Sequence, residues 1–173
     1  MSALYHGSEA DMPARELCAA FTGHRPRSLP WHYNEADPRC VSLKERLMRE
    51  VLLAYAKGVK YFLSGMAEGV DTYAAEAVLK AKEILPDIEL IAVFPYGLGS
   101  SARQRRIAAR AYAVISICPE HVAGCMMARN RFLAEHSSRM ICVFNGEYKS
   151  GTAATMRMAS EAGAALTIIR PGE

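Results

Sequence analysis

The sequence predicts a three-layer, Rossmann-like α/β fold: a mostly parallel sheet of about six strands with helices on both faces. Three observations predict it. Short apolar runs alternate with segments of helical period from Leu17 onward, the ordering that builds βαβ units. Those runs are mostly continuous in hydrophobicity, as strands covered on both faces are. The chain has 173 residues, 51% of them hydrophobic and 23% charged, which suits one domain able to bury roughly 70% of its unfolded surface without disulfides.

The strands are expected at Leu17–Thr22, Lys60–Ser64, Ile88–Phe94, Ala113–Cys118, Met140–Phe144 and Ala165–Ile169. The first helix is expected from a capping box at Ser42 and Glu45, with Leu47, Val51, Ala54 and Tyr55 as its apolar stripe and Gly58 just past its end. A second runs from about Glu68 to Leu85, buries Ala74, Ala75, Val78 and Leu79, and stops before Pro86. The others span about Ser101–Tyr112, Met126–His136 with Met127, Leu133 and Ala134 inward, and Thr152–Ala162 ahead of Gly163. Pro26–Arg39 is the one irregular excursion, and no internal repeat interrupts the pattern. Residues 1–15 carry acidic residues and no apolar stretch, so they read as a flexible arm rather than a secretory signal, leaving residues 16–173 as the domain.

Composition excludes several classes. Lys and Arg total 21 and Asp and Glu 18, a formal charge of +3, which is too weak to imply nucleic acid by itself. Cys18, Cys40, Cys118, Cys125 and Cys142 are odd in number and form no CxxC pair, which reads as reduced thiols in a cytoplasmic protein. No run approaches the ~18 apolar residues of a membrane span, so no membrane partner is expected. Exposed sheet edges leave room for a homodimer.

Ligands of open α/β sheets collect beyond the carboxyl ends of the strands, and the unusual residues fall there. Thr22-Gly23-His24-Arg25-Pro26 follows the first strand. Glycine permits a tight turn, Arg25 offers a fork for phosphate or carboxylate, and His24 moves protons near neutral pH; a solvated surface turn explains the same residues. Ser64-Gly65-Met66-Ala67-Glu68-Gly69-Val70-Asp71 follows the second. Its glycines let a ligand approach a helix N-terminus, with Glu68 and Asp71 stabilising the helix or accepting from ribose hydroxyls; close packing of helix on sheet explains the spacing equally. Asn145-Gly146-Glu147-Tyr148-Lys149-Ser150-Gly151-Thr152 precedes the last helix, either as a nest for phosphate with Lys149 nearby or as an ordinary cap.

Arg103, Arg105, Arg106 and Arg110 give one helix a basic flank, which is usually only a solvated face. Cys118, His121 and Cys125 lack a fourth ligand and a metal-site spacing, so no metal is assigned. Trp31 is either a lid that stacks on a base or a plug in the core.

The segments TGHRP with LPW, SGMAEGVDTYAAEAVL, VFPYG and ARNRFLAEHSSRMICVFNGEYKSGTAATMRMASEAG resemble the YpsA-like family of the SLOG superfamily over nearly all of Cys18–Ile169. The resemblance implies a modified Rossmann fold binding a nucleotide or nucleotide-derived ligand at the strand carboxyl ends. It also supplies two alternatives. The "lonely guy" phosphoribohydrolases carry PGGxGTxxE; Gly151-Thr152 is similar to its GT step, but Thr155 stands where the glutamate would be and Asn145-Gly146-Glu147 replaces Pro-Gly-Gly. The DNA-processing protein A core is similar in Ser64–Asp71, in Arg129-Asn130-Arg131 and in Ser150–Thr155, which implies single-stranded DNA binding, although this length leaves no room for the flanking domains.

Taken together, the expectation is a sensor or carrier of a nucleotide-like small molecule, with no separate cofactor. Gly65 and Gly69 cradle one part of the ligand, Ser150, Gly151 and Thr152 hold phosphate, Arg25 neutralises charge, Arg129 and Asn130 fix loops at the rim, and Thr22, Gly23, His24, Ser64 and Glu68 complete the ligand-binding set. For the hydrolase alternative, which cleaves an N-glycosidic bond, the catalytic candidates are His24, Glu68 and Asp71.

Overall fold

The computed structural model describes residues 3–5 and 12–173. Seven strands form one all-parallel sheet: β1 (Ala3–Tyr5), β2 (Cys18–Thr22), β3 (Tyr61–Ser64), β4 (Glu89–Tyr96), β5 (Ala113–Cys118), β6 (Arg139–Val143) and β7 (Ala165–Ile169), in the order β1-β5-β4-β3-β2-β6-β7. Five helices connect them: α1 (Pro38–Ala56), α2 (Val70–Ile84), α3 (Ala102–Ala109), α4 (Cys125–Glu135) and α5 (Gly151–Glu161). The fold is the three-layer, Rossmann-like α/β arrangement that the sequence predicts, with the six expected strands in place.

Strand alternation sends successive side chains to opposite faces, and here it feeds two cores. Ala19 and Phe21 of β2 and Leu90, Ala92 and Phe94 of β4 meet Leu47 of α1, Val78 of α2 and Ile107 of α3. Cys18 and Ala20, with Ile91 and Val93, meet Leu133 of α4 and Ala159 of α5 on the other face. A fully buried Leu, Ile, Val or Phe contributes about 1.5–3 kcal/mol, so the double-sided central strands hold the sheet together. The edge strand β7 departs from the expected double cover: Ile168 is 55% exposed, on a strand that among the described residues has β6 alone beside it.

The strand order reverses at β2, which pairs with β3 on one side and β6 on the other. The helices that follow β2 and β6 therefore leave on opposite faces and open a crevice above the carboxyl ends of these two strands.

Local signals needed two corrections, and one open choice was settled. The first helix starts at Pro38, four residues before Ser42. Asp37 caps it, its carboxylate accepting the Arg39 N–H at 2.9 Å, and proline suits a first position whose N–H has no partner; the true capping box joins Ser101 and Gln104 at the start of α3. Met127 is 44% exposed, because α4 turns Cys125, Arg129 and Leu133 inward instead. Trp31 is 4% exposed and lies in the core with Leu29 and Phe21, so it plugs the fold and is not a lid.

Of the arm expected over residues 1–15, residues 1, 2 and 6–11 lie outside the described residues. Ala3–Tyr5 pairs with Ala113–Ile115, and the Arg15 guanidinium donates to the carbonyls of Ser137 and Ala162. Among the described residues, no helix is long and apolar enough to cross a membrane.

Candidate functional site

The crevice is built first by His24. Its ring is 5% exposed, and Nε2 accepts the Asn145 N–H at 3.1 Å. That acceptor role places the proton on Nδ1, which faces the Thr152 hydroxyl at 3.5 Å. The ring also stacks on Phe144 at 6.1 Å. His24 thus ties the exit of β2 to the β6–α5 loop across the strand-order switch. Burial holds its pKa below the ordinary 6.5, with Glu147 pulling the other way.

The β3–α2 loop is fixed by its own polar groups. The buried Ser64 hydroxyl donates to the Asp71 carbonyl at 2.8 Å and accepts the Met66 N–H at 3.2 Å. Met66 adopts a left-handed φ of 61°, and its carbonyl accepts from Gln104 at 2.7 Å. Such a backbone persists in a side-chain-bearing residue only where its surroundings enforce it.

Gly69 has a φ of 93°, and a Cβ there would sit 2.6 Å from the His24 carbonyl oxygen. The same carbonyl accepts the Val70 N–H at 3.3 Å. Gly69 therefore allows α2 to close on the β2 exit, and so does Gly23, whose Cβ would fall 2.4 Å from a Val70 methyl.

Behind this loop lie two buried charges. Asp71 is 7% and Arg129 is 5% exposed. Asp71 Oδ2 accepts the Ala67 N–H at 3.3 Å, while Arg129 donates Nη1 to the Gly65 carbonyl and Nε to Asn130 Oδ1 at 2.8 Å. A Cβ on Gly65 would come within 2.9 Å of both the Arg129 guanidinium and Asp71 Oδ2, so glycine is required where the loop runs over the charges. Burial raises the Asp71 pKa against the pull of Arg129, the Ala67 N–H and Arg25. Burial lowers that of Arg129, with Asp71 opposing and Arg25 adding to the shift; a guanidinium nevertheless keeps its proton. Arg129, expected at the rim, is a buried anchor.

The third wall is the start of α5. Ser150 caps it, Oγ accepting the Ala153 N–H at 3.1 Å and donating to the Glu147 carbonyl at 2.7 Å. The Gly151 and Thr152 N–H groups belong to the first turn, which has no intrahelical acceptors. The space around Gly151 is open: a Cβ there meets nothing within 4 Å. The Thr155 hydroxyl donates back to the Gly151 carbonyl at 2.8 Å.

These walls enclose a cavity of about 330 Å³ lined by Thr22, Gly23, His24, Arg25, Asp71, Arg129, Asn130, Ser150, Gly151 and Thr152 among the expected residues. Gly65 and Glu68 instead line a neighbouring cavity of about 400 Å³, and Arg25, Ala67, Met126 and Arg129 line both. Ser64, Gly69 and Lys149 line neither. Sequence reasoning missed Arg27, Met126 and Thr155 in the first cavity. The signal for Met126 and Arg129 was their spacing, which puts both on one side of α4.

Other candidates are spoken for. Arg103 pairs with Glu35 at 2.6 Å and also with Glu76, and Lys44 reaches Glu35 at 2.7 Å. The Arg103 hydrogen bond holds the Glu35 pKa down at about 2, so this arginine serves an ion-pair network. Cys125 is buried, its thiol bonded to the Val122 N–H and the Glu120 carbonyl, while His121 sits edge-on to Tyr96 at 4.9 Å.

An open parallel sheet with a polar crevice over its strand-order switch defines a Rossmann-like α/β protein. The chain belongs to the YpsA family: residues 19–170 match its family model, described as the YspA SLOG family. It is 23% identical over 140 residues to a UPF0398 protein of Ligilactobacillus salivarius (strain UCC118), covering 76% of each chain. A UPF0398 protein of Enterococcus faecalis (strain ATCC 700802 / V583) is 24% identical over 140 residues, covering 76% of this chain and 77% of the relative.

Proposed function

We propose that the protein binds a nucleotide or nucleotide-derived ligand in the first cavity and acts as its sensor or carrier. One observation carries this reading: the open N-terminus of α5 shares the cavity with Arg25 and Arg27, neither of which has a carboxylate within ion-pair distance among the described residues. Helix N–H groups and unpaired guanidinium groups together favour a phosphate. Asp71 Oδ1, left without a hydrogen bond by the Ala67 contact to Oδ2, is available to a ribose hydroxyl.

Native mass spectrometry of freshly purified protein tests the class directly through a retained nucleotide. Calorimetry with nucleoside monophosphates then tests the phosphate end. Gly151→Asp adds a carboxylate where a side chain meets open space, and an acid in the first turn suits the helix dipole. The variant is expected to fold normally and to lose affinity by on the order of 10-fold or more, since like charges repel in a partly desolvated cavity. Unchanged affinity overturns the phosphate role.

A second reading, hydrolysis of an N-glycosidic bond, is favoured by Asp71, whose raised pKa suits a proton donor. His24 is a poor partner for that step, because protonating Nε2 would break its bond to Asn145. Release of free base or ribose 5-phosphate from a nucleoside monophosphate supports the hydrolase; a thermal shift without product supports the sensor.

A further inference from the structure

We infer that the second cavity is the subsite for the ligand's nucleobase, an inference that rests on the phosphate reading of the first. The two cavities differ in chemistry. Arg25 and Arg129 line both, but the first adds Arg27 and the α5 N-terminus, whereas the second adds the half-buried Tyr96, the Gly97–Gly99 turn and a single carboxylate, Glu68, exposed at its edge. The anion belongs where Arg27 and the helix N-terminus add to the shared arginines, and a planar ring belongs beside Tyr96.

The cavities are neighbours that share one wall, formed by Arg25, the small Ala67, Met126 and Arg129. A sugar placed at Asp71 would therefore carry its phosphate toward Gly151 and its base over Ala67. Each volume, about 330 and about 400 Å³, lies in the range of small-molecule sites.

The second cavity also has groups that can read a base edge. The Leu98 and Gly99 N–H groups make no hydrogen bond among the described residues, whereas those of Ser100 and Ser101 are both taken by Gln104. Glu68 enters no ion pair among the described residues and can accept from a base N–H. The half-buried Tyr96 ring and the Met126 thioether give a base its stacking surfaces.

The test compares adenosine monophosphate, guanosine monophosphate and ribose 5-phosphate by calorimetry. At least one nucleotide is expected to bind on the order of 10-fold or more tightly than ribose 5-phosphate. Tyr96→Leu, which keeps an apolar side chain but removes the ring, is expected to erase most of that advantage while leaving ribose 5-phosphate affinity unchanged. Ribose 5-phosphate binding as tightly as both nucleotides overturns the base subsite and leaves the phosphate reading intact; failure of all three to bind overturns both. Photolabelling of the wild type with 8-azidoadenosine monophosphate supplies a readout free of mutation. Label on residues 94–100 or Met126 is expected, and label confined to residues 145–155 overturns the assignment.

Discussion

His24 Nε2 accepts the backbone N–H of Asn145 at 3.1 Å, a bond that the imidazole makes only in its neutral form. Burial, with Glu147 opposing, depresses the proton affinity of this histidine below the ordinary 6.5. The unfolded chain binds the proton more readily, so the stabilisation is complete above pH 6.5 and is lost as pH falls through the lowered folded value. Thermal melts of wild type and His24→Gln between about pH 5 and pH 8 should show a steeper acid-side loss in the wild type. A variant that keeps the full slope would place the titration elsewhere.

Gly69 and Gly146 both have φ above +90°, yet they differ in surroundings. Alanine at Gly146 meets nothing within 4 Å, whereas at Gly69 it meets the His24 carbonyl at 2.6 Å. Urea titration should show a loss of about 1 kcal/mol for Gly146→Ala, from the left-handed backbone alone. Gly69→Ala should lose about 2 kcal/mol or more, since the contact adds overpacking. Equal losses would show that the approach of α2 to the β2 exit is slack.

Arg129→Met preserves much of the side-chain volume but leaves the Asp71 carboxylate buried without its cation and the Gly65 carbonyl without its donor. Leaving a buried acceptor without its donor costs about 1–3 kcal/mol, and more where a neighbouring charge loses its favourable partner. Adding Asp71→Asn should recover part of the loss by removing the unpaired charge. A double variant no more stable than Arg129→Met alone would show that the carbonyl contact, not the attraction to Asp71, holds α4 in place.

The alternation of apolar runs with helical stripes made the sheet and its helices legible, because each run reports its own local burial. The identity of the first cap was not. Asp37 and Ser42 are both good caps, and only Pro38 beside Asp37 decides between them. Arg129 is expected at the rim; its inward turn depends on Asp71 and the Gly65 carbonyl, which lie far away in sequence. The glycines show the same limit. A glycine at a strand end serves a ligand or a neighbour equally well on paper, and only the packed neighbour separates Gly69, pressed against His24, from Gly151, open to the cavity.

The central position of β2 also governs when the crevice can exist during folding. β2 pairs first with the nearby β3, but its other partner, β6, arrives from much later in the chain. The bond from Asn145 to His24 spans the same interval. Loop-closure entropy delays such long-range pairings, so a half-assembled sheet of β2–β5 has the Arg25 wall and lacks the α5 wall. Ligand capture in a refolding experiment would accordingly report the last docking event, not the collapse that precedes it.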